Sequence, residues 1–226
     1  MNNGEAESRK VEAQFKSIEK MKSNFLNFGL ILALVFTTTV FNSCRKDDND
    51  GGDKAFKITA TNVTVHGGAE VKIVKALAYW DDGSDYGRDV IAQTPFANKG
   101  FTVEFPATVD AKYSNLDLGE APSGVSVSDK NATIFYVDNI SGYNADDEEI
   151  GSFYLLAEED DDMYRTAWWY ADRDVTIKGE SGGANYDITL KKGWNVVYMS
   201  DVDGDDSWTS KKPTGVSYTW HFYMLV

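Results

Sequence analysis

Apolar and polar residues alternate at every second position along most of this chain from residue 55 onward. Only a strand sends successive side chains to opposite faces, so the pattern excludes a helical body. Over residues 216–226, Val216, Tyr218, Trp220, Phe222, Met224 and Val226 share one face, while Ser217, Thr219, His221 and Tyr223 share the other. Phe101, Val103 and Phe105 alternate with Thr102 and Glu104 until Pro106, which has no N–H for a ladder. Residues 56–61 repeat the pattern, and residues 70–80 read as a more buried strand with Val71, Ile73, Leu77 and Tyr79 on one face. Val175 and Ile177, a Gly182-Gly183 turn, then Tyr186, Ile188 and Leu190 describe a hairpin. With shorter candidates at 90–92, 134–137, 152–156 and 194–198, roughly ten to twelve strands are expected, which is the pattern of an all-β antiparallel β-sandwich or a closed barrel. The Gly/Pro/Ser/Asp-rich stretch 107–130 reads as a long connection and the place for a subdomain seam.

The first 54 residues follow other rules. Lys22 precedes a mostly apolar run over residues 25–41, closed by the small residue Ser43 directly before Cys44. That is the layout of a bacterial export signal, and residues 1–43 are expected to be removed, with Met21 as the expected true start. Cys44 is the only cysteine. A lone thiol forms no internal disulfide, and its place after an export segment marks it as the acceptor of acyl chains. A membrane-spanning helix is the competing reading, but Thr37 to Thr39 and Asn42 sit at its outer end. Residues 44–54, charged and followed by Gly51-Gly52, bury no apolar surface and form a flexible tether. A single β-domain over 55–226 follows.

The residues after the cysteine, Arg45-Lys46-Asp47-Asp48-Asn49-Asp50, resemble the basic-then-acidic tag of surface-exposed lipoproteins of the Bacteroidetes group. The resemblance implies lipidation at Cys44 and an export tag at Lys46, Asp47 and Asp48. The expected address is the bacterial outer membrane, with the protein anchored through its acylated Cys44 and facing outward. Stretches in the body (AYWDDGSD through FTVEFPATV, and DRDVTIKGE through LKKGWNVVY) are similar to uncharacterised lipoproteins of the same group. These imply a sandwich or a calycin-like closed β-barrel and transfer no functional residue.

Charge narrows the partners. With 22 Lys and Arg against 36 Asp and Glu, the net charge is −14. Nucleic acid is therefore an unsuitable partner, because it needs a basic footprint. Acidity suits a solvated surface module or one that binds cations.

Four groups of residues bear on chemistry. Trp168-Trp169-Tyr170 places large rings on both faces of one strand, so a solvated face would expose an aromatic platform for sugar rings. Trp208, in a polar stretch, is the second candidate for such a ligand contact. Asp201, Asp203 and Asp205 match the first acidic positions of a calcium loop, so a Ca2+ site in a hairpin is the candidate metal site; Asp206 and Lys212 break the helix-loop-helix pattern. The acidic runs at 146–149 and 158–162 pose the same question less sharply. Gly179-Glu180-Ser181-Gly182-Gly183 matches a nucleophile motif, yet a strand rather than the required helix follows it, and only His66 precedes it as a base. No catalytic residue is assigned. The expectation is a non-catalytic surface module that binds a glycan, peptide or host component, with an accessory subunit of an outer-membrane assembly as the alternative.

Overall fold

A computed structural model describes residues 55–81, 85–113, 116, 118–119, 121–137, 140–159 and 162–225. Cys44, Lys46, Asp47 and Asp48 lie outside them. The strands, in chain order, are β1 (Phe56–Ala60), β2 (Thr64–Val65), β3 (Ile73–Asp81), β4 (Tyr86–Pro95), β5 (Phe101–Phe105), β6 (Val125–Val127), β7 (Ile134–Val137), β8 (Ile140–Tyr143), β9 (Glu149–Glu159), β10 (Asp162–Ala171), β11 (Val175–Ser181), β12 (Ala184–Leu190), β13 (Gly193–Val202), β14 (Asp205–Thr209) and β15 (Thr219–Met224). The helical content among the described residues is one 3-10 turn, Ala111–Tyr113.

The fold is an all-β sandwich. One sheet runs in the order β4-β3-β8-β9-β10-β13-β14-β12-β11-β6, with β15 and β2 attached beside β9 and β7 beside β10; β1 and β5 form a separate two-stranded sheet. The two ends of the long order do not pair, so the calycin-like barrel expected as the alternative does not form. Nor is the sheet wholly antiparallel: β12 runs parallel to β14, and β15 parallel to β2.

Two apolar cores hold the strands, and they share a wall. In the first, Ile58 and Ala60 of β1 and Phe101, Val103 and Phe105 of β5 pack against Val74, Ala76 and Ala78 of β3, Phe153 of β9, and Trp220 and Phe222 of β15. Phe135 and Val137 of β7 and Trp168 and Tyr170 of β10 complete it. The second takes the alternate residues of the same two strands, Ile134 and Trp169 with Ala171, and packs them against Val175, Ile177, Ile188 and Leu190 of the β11-β12 hairpin. Strand β10 therefore has a core on each side. Burial of each large side chain is worth about 1.5–3 kcal/mol, so both faces of this strand are strongly determined.

Alternation also explains a departure in β3. The residues of β3 that enter the first core are Val74, Ala76 and Ala78; of the expected set Val71, Ile73, Leu77 and Tyr79, Val71 is a buried member of that core, just ahead of the strand. The two alanines are small but fully buried, and Leu77 is buried on the opposite face. Ala76 pairs with Ala92 and Leu77 with Val90, so Ile91 is an extra residue that bulges β4 while β3 keeps its phase. The stretch 107–130 carries the chain from one core to the other: Val109 and Tyr113 pack on the first, Leu118, Val125 and Val127 on the second.

Candidate functional site

The residues that share the second-core side of β10 are set by alternation: Met163, Arg165, Ala167 and Trp169. Register extends this face over the neighbouring strands. Arg165 lies opposite Leu156 of β9 and Met199 of β13; Met199 lies opposite Trp208 of β14, and Trp208 opposite Tyr186 of β12. Asp201 pairs across with Asp206 one step further along β13 and β14. Toward Trp169 the face is closed; toward Arg165, Asp201 and Asp206 it opens, and these three residues, like Trp208 and Tyr186, are half-buried.

The rings form a short run. Trp208 stacks on Tyr186 with centroids 6.4 Å apart and planes 22° from parallel, and its other neighbour is Trp169 at 6.0 Å. Trp169 in turn meets Tyr136 at 5.9 Å. The indole N–H of Trp169 is buried and has no hydrogen-bond acceptor among the described residues.

Arg165 dominates the electrostatics. Burial holds its guanidinium below the ordinary arginine value, opposed by Tyr154, Asp206 and Asp201. No hydrogen bond or ion pair joins it to another described residue. Burial, aided by Asp206, raises the Tyr186 phenol, and burial raises Tyr154 while Ser152 and Arg165 oppose it. The face thus offers a cation with its donors unused, a pair of carboxylates and an aromatic edge. It can hold a polar ring-shaped ligand.

A second polar group flanks this face on β15. His66 Nε2 and His221 Nδ1 are 3.0 Å apart, and His221 Nε2 lies 2.7 Å from Thr219 Oγ1. The His66 ring also stacks on Tyr223, centroids 4.4 Å apart. Burial, then His66, lowers His221; burial, then Glu158 and Tyr154, pushes Tyr223 up to about 12.

The expected site residues fare differently. Trp168, Trp169 and Tyr170 are 6%, 5% and 6% exposed, which corrects the expectation of a sugar platform on them: the last four residues of β10 are walled on both faces. Trp168 lies flat on Trp220 at 5.7 Å, and Tyr170 meets the edge of Trp194 at 5.6 Å. Of the four rings, Trp208 alone is half-buried.

Asp201, Asp203 and Asp205 are not gathered around a cation. Asp203 and Gly204 have φ of 54° and 86° and form the two-residue turn between β13 and β14, and the Asp203 N–H donates to Asp162 Oδ1. Among the described residues no three acidic, histidine or cysteine side chains converge. The Asp-Gly pair makes the turn of the hairpin that the sequence pattern expected here.

In the 146–149 run, Asp147 pairs with Lys75 at 2.6 Å and Glu149 accepts from Ser141 at 2.8 Å, so these carboxylates serve the sheet. Ser181 ends β11, Gly182 and Gly183 turn with φ of 62° and 83°, and β12 follows without a helix. His66 is engaged with His221 instead.

Arg165, Asp206, Tyr186 and Tyr154 were not singled out by the sequence. The period-two count that joins Arg165 to Trp169 was the available signal; the partners on β12, β13 and β14 depend on pairings far apart in the chain. Compared with protein-family models, with curated proteins and with solved structures, the chain finds no match.

Proposed function

We propose that this chain is a lipid-anchored surface module of a bacterial outer membrane that binds a glycan on the open face of β10, β13 and β14. The observation that carries the reading is the Trp208–Tyr186 stack beside the Asp201–Asp206 pair and Arg165. Aromatic rings bind the apolar side of a sugar, and carboxylates and guanidinium take its hydroxyls. The anchor rests on Cys44 and on Lys46, Asp47 and Asp48. The module works without chemistry of its own, by holding its ligand near the cell.

A glycan array probed with a soluble form starting at Gly51 tests this. Retention of a defined set of glycans, lost in Trp208→Ala, is expected. Absence of any retained glycan, or binding indifferent to Trp208→Ala, removes the support.

One observation favours the accessory-subunit reading. Strand β4 is ten residues long, pairs with β3 alone among the described strands, and carries Tyr86 at 82% exposure and Val90 at 47%. A free edge of that length can accept a strand from a partner. A photo-crosslinker at Tyr86 in intact envelopes should then trap one defined protein; a featureless smear speaks for the glycan module instead.

A further inference from the structure

We infer that the face around Arg165 selects a sugar that carries a carboxylate, a uronic-acid unit of an acidic glycan; this rests on the glycan-binding reading above and narrows it to a ligand class.

One group on this side of β10 holds donors that the chain leaves unused and a ligand can reach. Arg165 makes no hydrogen bond or ion pair with another described residue. The Arg165 guanidinium is half-buried and offers its donors on the open part of the face, where a ligand acceptor can reach them. A guanidinium fork fits a carboxylate in two parallel hydrogen bonds.

The surroundings add two requirements. Asp201 and Asp206 accept hydrogen bonds and donate none, which suits hydroxyls. The Trp208–Tyr186 stack takes an apolar ring face. A uronic acid meets all three demands: a carboxylate, hydroxyls on adjacent carbons, and a ring with an apolar side. Inorganic phosphate offers no ring, and a neutral sugar leaves the guanidinium unmatched. Because the net charge of −14 repels long polyanions, the selectivity lies in local contacts, and short oligomers are the proper probe.

The test uses the full chain, purified in detergent, and calorimetric titration with tetramers of galacturonate, glucuronate and mannuronate, each beside its neutral counterpart. At least one acidic tetramer should bind roughly tenfold or more tightly than its neutral partner, the scale of a charge-assisted hydrogen-bond pair. Arg165→Gln should erase that preference without lowering the melting temperature, since it removes a half-buried cation that no described residue pairs, and Arg165→Lys should restore only part of it. Equal affinity for acidic and neutral tetramers, a preference that survives Arg165→Gln, or binding of free glycine in place of any sugar overturns the inference. Binding of neutral tetramers alone overturns it but leaves the glycan module standing; binding of no sugar overturns both. Should Arg165→Gln fail to fold, the comparison of acidic with neutral tetramers on the unaltered chain still decides.

Discussion

Gly142 of β8 and Gly151 of β9 face each other across the sheet, and the ring of Phe222 fills the space where their side chains would be. A Cβ on Gly142 would stand 2.5 Å from the Phe222 ring, and one on Gly151 would stand 2.6 Å from it and would collide with the Tyr223 carbonyl oxygen. Phe222 is wholly buried and cannot retreat. Gly151→Ala is therefore expected to cost roughly 1–3 kcal/mol or more in chemical unfolding, and Gly142→Ala less, because its obstacle is a ring edge rather than backbone. An unchanged midpoint for Gly151→Ala would refute this packing.

The tryptophans should separate into two classes. Trp168 lies on Trp220 in the first core, and Trp168→Ala should lose about 3–5 kcal/mol of stability. Trp208 is half-buried, so Trp208→Ala should cost less in stability and more in glycan retention. Thermal melts of both variants next to array binding decide the matter, and equal effects on both readouts would contradict the division.

Acid should loosen the β15 edge. His221 is held below the ordinary histidine value of about 6.5 by burial and by His66. The unfolded chain then takes up the proton more readily than the folded one. The stabilisation is complete above about pH 6.5 and is lost as pH falls through the depressed folded value. Melting temperature should drop over that interval, and His221→Gln should flatten the drop; a profile unaltered by His221→Gln assigns it to other groups.

At the other end of the chain, Cys44→Ala should release the protein from the membrane fraction, and metabolic labelling with a clickable fatty acid should mark the unaltered chain only. Neutralising Lys46, Asp47 and Asp48 together should leave lipidation intact and shift the protein from protease-accessible to protected in whole cells. Label on the Cys44→Ala chain would exclude this anchor.

The β11-β12 hairpin, β5 and the aromatic half of β15 were legible because their apolar residues are large, alternate without interruption and end at glycine or proline. Strand β3 was misread in phase because its inward residues include two alanines, which carry little weight in a hydrophobic count although both are fully buried. Strand β4 extends to ten residues where only 90–92 stood out, since an edge strand carries polar residues on both faces. The site was legible in part. Trp208 and Asp201 do fall on one face, but Arg165 and Tyr186 join them through pairings between strands that no local pattern announces. Trp168 and Trp169 were ambiguous for the same reason: whether a strand borders solvent or a second core depends on what the rest of the chain lays over it.

Because β7 and β10 line both apolar interiors at once, the interiors stand or fall together. A chain severed within 107–130 would leave an N-terminal fragment with strands β1 to β5 and no wall to close against. Its C-terminal complement would leave Trp168, Tyr170 and Phe222 without the residues of β1, β3 and β5 that cover them. Neither piece is a heritable building block on its own, and gene fusions or insertions tolerated by this protein belong at its termini or in the hairpin tips rather than in the stretch that, by composition alone, invites the cut.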